Sequence, residues 1–130
     1  MQASELRLGN RIQYNGDYGT VITISEYGVT VAFEEEEMYL TYNQIKPIPL
    51  TYDRLLKCGF DREHNEPNKV DTIVYDIYYI TGTDYLIEYY YEDGLWLFTD
   101  DIGLKVFISY LHEIQNLIFA LTGQELNINL

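Results

Sequence analysis

An α+β fold is predicted by three observations. The first 46 residues hold several short runs of alternating or β-branched residues, separated by the turn signals Asn15-Gly16 and Tyr27-Gly28. A second group of such runs, crowded with tyrosine, fills residues 71–99. Near the end, Leu111, Ile114, Leu117, Ile118 and Leu121 recur at the spacing of one helix face. The expected order is a small, barrel-like N-terminal antiparallel β unit, then a helix, a β-meander and a C-terminal helix.

In the N-terminal unit, Arg11 to Tyr14 alternates, Thr20 to Ile24 is β-branched throughout, and Val29 to Phe33 and Met38 to Tyr42 read as two more strands. So many strands in so few residues predict a curled sheet or a barrel, of which the Src-homology-3 kind is one architecture. Lys46-Pro47-Ile48-Pro49 is extended and excludes helix. The expected division is therefore 1–46 as the small β unit, 47–50 as a proline linker, and 51–130 as a helix–meander–helix unit sharing a core with it.

Thr51 is a good N-cap for the next helix, Leu50 and Leu55 sit at the staple positions, Leu55 and Leu56 are expected to face inward, and Gly59 ends the helix. Asp61 to Lys69 is polar, contains Pro67 and reads as an exposed loop. Strands over 71–80, 85–91 and 95–99 follow, with a shorter one near 104–106. The last helix, capped by Ser109 and stopped at Thr122-Gly123, is expected to lie across one face of the meander.

Composition narrows the function. Residues 1–50 carry seven acids and three bases, and the remaining eighty carry fourteen acids and five bases, for a net charge of -13. Neither half gathers phosphates by counterion release, so nucleic acid and anionic membrane surfaces are not expected partners. No apolar stretch is long enough to span a bilayer, and the start MQASELRLGN lacks the features of a signal peptide. With Cys58 as the sole cysteine, the composition fits a cytoplasmic protein.

Three segments then stand out together: Glu5-Leu6-Arg7-Leu8-Gly9-Asn10, the Ile45–Leu50 joint with Thr51, and His112 to Leu126. The set resembles short uncharacterised proteins of bacteriophages and mobile elements of Bacteroides-type gut bacteria. The likeness leaves out the tyrosine-rich meander and residues 61–69. It implies a phage or prophage setting, which makes the cytoplasm expected from composition that of a host cell, and no particular chemistry.

The chain has 14 tyrosines. Strand alternation sets Tyr75 and Tyr79 opposite Tyr78, and Tyr89 opposite Tyr90, while Trp96 joins Phe98 on one side of the third strand. One helix covers one face of a sheet, so the other face is expected to present aromatics among acids. Tyrosine gives contact area at low entropic cost, which suits a protein interface, and cross-strand packing is the structural use of the same rings. Glu34, Glu35, Glu36 and Glu37 form an acidic turn, either solvated or acting as an acidic patch for a basic partner or as a DNA mimic. Glu92-Asp93 and Asp100-Asp101 match no calcium loop and suit turns. His64 and His112 belong to no metal pair, Cys58 reads as a small core residue, and no phosphate loop, nucleophile elbow or carboxylate pair occurs. The reading is a binding protein without enzymatic activity or cofactor. Its partner is a host or phage protein, or a second copy of itself. The rival reading is a module that takes a ring-containing small molecule, such as a signalling nucleotide, to act against host defence.

Overall fold

Asn15 and Gly16 adopt the left-handed backbone that a two-residue hairpin requires, with φ of 48° and 83°. They join β1 (Arg11–Tyr14) to β2 (Asp17–Ile24) in the computed structural model, which describes all residues from Met1 to Leu130. With β3 (Gly28–Ala32) and β4 (Glu37–Thr41) these strands make an antiparallel sheet in sequence order. The barrel expectation is not met. The sheet stays open, and the outer edge of β1 takes a bridge between Gln13 and Lys46 rather than β4. A register shift between Val21 and Thr23 in β2 leaves Ile22 exposed while Val21 stays buried. Ile12, Val21, Val29, Val31 and Leu40 form the core of this sheet with Leu6 and Ile45. At Gly28 a Cβ would lie 2.3 Å from the Leu40 carbonyl oxygen, so β3 and β4 approach there as only glycine permits.

The chain divides into two compact units, though not where the sequence places them. The first comprises Met1–Pro49 and Tyr110–Leu126; the second comprises Leu50–Ser109 and Asn127–Leu130. The second unit begins with α1 (Tyr52–Lys57), where Thr51 Oγ1 accepts the Arg54 N–H at 3.2 Å. Leu55 is buried, whereas Leu56 faces solvent, against expectation; a helix of less than two turns has one narrow inner face. Cys58 is buried. Residues 61–69 are not a free loop. They supply β5 (Asp61–Arg62) and most of β6 (Asn68–Val70), which both pair along the outer edge of β7 (Ile73–Tyr79). The polar composition that reads as a loop here reflects an edge position. The meander continues from β7 through β8 (Leu86–Tyr90), β9 (Leu95–Thr99) and β10 (Lys105–Ile108), in the spatial order β10-β9-β8-β7.

The C-terminal helix α2 (Leu111–Thr122) belongs with the N-terminal sheet and not with the meander. Helical spacing identifies a buried stripe but not what covers it. Polar side chains decide the matter. Gln115 is fully buried; its Nε2 donates to the Gly9 carbonyl at 3.0 Å and its Oε1 accepts the Arg11 N–H at 2.8 Å. Asn116 Oδ1 accepts from Asn10 Nδ2 at 2.7 Å. Leu111, Ile114 and Ile118 are buried as expected, but Leu117 is half-buried and Leu121 exposed. The N-cap is Tyr110 and not Ser109: the Tyr110 N–H donates to Glu113 Oε1 at 3.0 Å. Gly123 ends the helix at φ 71°. Arg7 pairs with Glu125, its guanidinium 4.0 Å from the centre of the Phe119 ring.

Candidate functional site

The two faces of the second sheet follow from its register. Tyr78 pairs with Ile87 and Ile87 with Phe98, while Asp76 pairs with Tyr89 and Tyr89 with Trp96. Successive side chains alternate, so these residues share one face. Tyr78, Ile87 and Phe98 are buried. The Tyr52 ring of α1 lies 5.6 Å from that of Tyr78, and an aromatic chain continues through Trp96 (5.7 Å), Tyr89 (4.4 Å) and Tyr91 (5.2 Å). Among the candidate tyrosines, this covered face takes Tyr78 and Tyr89, together with Trp96.

Asp76 is also buried on this face. Arg62 Nη2 donates to Asp76 Oδ1 at 2.6 Å and Nε to the same oxygen at 3.1 Å. The Tyr78 hydroxyl donates to Oδ2 at 3.2 Å, and the Tyr91 hydroxyl donates to Oδ2 as well. Burial, with the Asp76 charge beside it, pushes the Tyr78 phenol well above its ordinary range. The hydrogen bond to Asp76 raises Tyr91. Both phenols keep their protons, so the carboxylate has two hydroxyl donors and a guanidinium, and the cluster is electrostatically closed. The sequence offers one signal for it: Asp76 is a lone acid in an otherwise apolar and aromatic strand. Nothing in residues 61–69 points to Arg62.

The opposite face is open. It carries Tyr75, Ile77 and Tyr79 of β7, Leu86, Glu88 and Tyr90 of β8, Leu95 and Leu97 of β9, and Phe107 of β10. Val70 and Ile73 pair at its margin. Val70, Ile73, Leu95 and Phe107 are 55%, 48%, 42% and 62% exposed. A groove of about 310 Å³ runs here, lined in part by Ile73, Tyr90, Leu95, Leu97 and Phe107, with Glu92 and Asp93 also in its wall. Tyr75 stacks on Tyr90 at 5.7 Å, and the Tyr90 hydroxyl donates to Glu88. That hydrogen bond is the main reason the Tyr90 phenol is pushed up to about 12. Tyr75, Tyr79 and Tyr90 thus lie on the open face. Phe107 escapes sequence reading because the short last strand is expected to stop at residue 106, two positions before its actual end at Ile108.

Glu34, Glu35 and Glu36 are exposed in the β3–β4 connection, closed by the Phe33 N–H donating to the Glu36 carbonyl at 2.8 Å, and Glu37 opens β4. These four acids belong to the first unit and the tyrosines to the second. No group of three or more His, Cys, Asp or Glu side chains is placed to hold a metal ion, and no helix is long and apolar enough to cross a membrane.

His112 is buried in the first turn of α2, stacked against Tyr110 at 5.9 Å. Burial lowers its pKa, with Glu113 and Glu5 acting in the opposite direction. A folded pKa below the unfolded value of about 6.5 means that the unfolded chain binds the extra proton first. The stability from neutral His112 is therefore present above about pH 6.5 and is lost as pH falls from there towards the folded pKa. Urea unfolding midpoints should drop between about pH 7 and 5.5 in the wild type and less steeply in His112→Leu. Parallel pH profiles for the two proteins would refute this.

Compared with known proteins, the chain matches no family model, no curated protein and no solved structure.

Proposed function

We propose that the protein acts by binding another protein through the open face of its second sheet, without catalysis. In this reading it is a phage-type accessory protein working in the cytoplasm of a host cell, the setting that the sequence resemblance implies. The observation that carries the reading is the exposure of Val70, Ile73, Leu95 and Phe107 together on one face. Scattered exposed apolar residues are ordinary, but a contiguous set around a groove marks a contact surface. Tyr75 and Tyr90 add aromatic anchors of the kind that dominate interface energy.

Charge selects the class of partner. The second unit carries twelve acids against five bases, and the wall of the groove holds Glu92 and Asp93. A basic protein surface complements it; nucleic acid, an anionic bilayer and a second copy of the same chain at -13 do not. A ring-containing small molecule is the second reading, favoured by a groove volume near the low end for ligand sites, ~300 Å³. No basic residue lines the groove, so a neutral or cationic ring fits it better than a nucleotide.

The triple variant Ile73→Ser/Leu95→Ser/Phe107→Ser should stay within about 1 kcal/mol of wild-type stability, as surface changes do. It should lose capture of a host or phage protein by at least ~30-fold, since anchors contribute ~2 kcal/mol or more each. Tyr78→Ser/Phe98→Ser on the covered face should instead unfold the unit. Retained capture by the triple variant, with its fold intact, would reject the open face as the interface.

A further inference from the structure

On the open face Glu88 stands apart from its surroundings. Its neighbours across the sheet are Ile77 on β7 and Leu97 on β9, and the row continues to Phe107. The next row on one side is Tyr75–Tyr90–Leu95; on the other it is Tyr79–Leu86–Thr99. Glu88 is thus a half-buried carboxylate in the middle of an apolar and aromatic surface. Its hydrogen-bond donor is the neutral Tyr90 hydroxyl. No cation of the chain neutralises it. The ion pairs join Arg7 to Glu125 and Arg62 to Asp76, His64 contacts Glu63, and Lys105, two strands away on the same face, makes none. Asp76, on the covered face, has the guanidinium that Glu88 lacks. A carboxylate set among apolar side chains becomes costly once a partner excludes water, unless that partner brings the opposite charge.

We infer that Glu88 is the specificity anchor of the interface and receives one arginine or lysine side chain of the partner. This rests on the open face being the contact surface, as proposed above. The arriving cation meets the carboxylate and, beside it, the Tyr75–Tyr90 pair, whose rings attract cations through their negative faces. The Tyr90 phenol, raised to about 12, remains protonated and keeps Glu88 oriented. The apolar stem of the arginine or lysine then covers Leu97 and Ile77, as such side chains do over apolar surface. The partner segment recognised is a basic residue flanked by apolar or β-branched ones. A neutral residue at the central position leaves Glu88 buried without a counter-charge, and an acidic one adds repulsion.

The probe is a capped Thr-Val-Arg-Val-Thr peptide titrated into the full chain and followed by amide chemical shifts. Saturable shifts are expected at Glu88, Leu97 and Phe107. Replacing the peptide arginine with citrulline, which keeps the shape and removes the charge, should weaken binding at least tenfold. Glu88→Gln should cause the same loss for the arginine peptide and little for the citrulline peptide, with thermal unfolding showing that the variant is folded. Equal binding of the two peptides, or full binding by Glu88→Gln, overturns the anchor; if Leu97→Asp then abolishes both, the face itself stands. Shifts absent from this face with every peptide overturn the anchor and the face together.

Discussion

Asp76→Ala is expected to destabilise the protein by roughly 3 kcal/mol, the scale for removing one partner of a buried ion pair. The loss reaches beyond the charge pair. Arg62 forfeits both of its bonds to Oδ1, and the hydroxyls of Tyr78 and Tyr91 lose their common acceptor. Tyr78 is buried and cannot turn its hydroxyl to water without moving the ring that packs on Tyr52 and Trp96. Arg62→Ala should cost less, because the Asp76 carboxylate still has two phenolic donors. The double variant should cost less than the sum of the two, with a coupling of about 0.5–3 kcal/mol. Urea unfolding of the four proteins gives the cycle; an Asp76→Ala effect under about 0.5 kcal/mol would show that the cluster contributes nothing net.

Ile114→Ala is expected to cost about 2–5 kcal/mol, as truncations in a tight core do, and Leu117→Ala distinctly less, since Ile114 is fully buried and Leu117 half-buried. Hydrogen exchange would locate the damage. The Gly9 N–H donates to the Val21 carbonyl, the Val21 N–H to the Asn10 carbonyl, and the Arg11 N–H to Gln115. Loosening α2 should speed exchange at these amides before those of β7, β8 and β9. Faster exchange confined to the meander would mean that α2 is packed there, against the placement made by Gln115 and Asn116.

The contrast between these two sites shows what a sequence can carry. Strand alternation depends only on neighbouring residues, so the separation of Tyr78 from Tyr75 and Tyr79, and of Tyr89 from Tyr90, is legible in the order of residues alone. So are the turn at Asn15-Gly16, the cap at Thr51 and the stop at Gly123. Which sheet accepts a helix is a long-range matter. The stripe of α2 fits either sheet, and the choice is made by Gln115 and Asn116 meeting backbone and side chains at residues 9–11. Residues 61–69 are obscure for a related reason. Two- and three-residue strands have no periodicity of their own and exist because β7 offers them an edge.

The interleaving of the two units bears on how the chain is made. The N-terminal sheet leaves the ribosome first, yet the side chains that tie down Gly9, Asn10 and Arg11 lie on α2, beyond the whole of Leu50–Ser109. At roughly 5–20 residues per second, several seconds separate the two parts during synthesis. For that interval the sheet waits with one flank uncovered, while Leu50–Ser109, the greater part of the second unit, folds as a block. The ends of that block are already joined, since the Leu50 N–H donates to the Ser109 carbonyl at 3.0 Å. Its closure also brings residues 49 and 110 into the register in which they bridge. The meander is thus a splint within the reading frame: by folding, it shortens the loop that the helix must close to reach the waiting sheet.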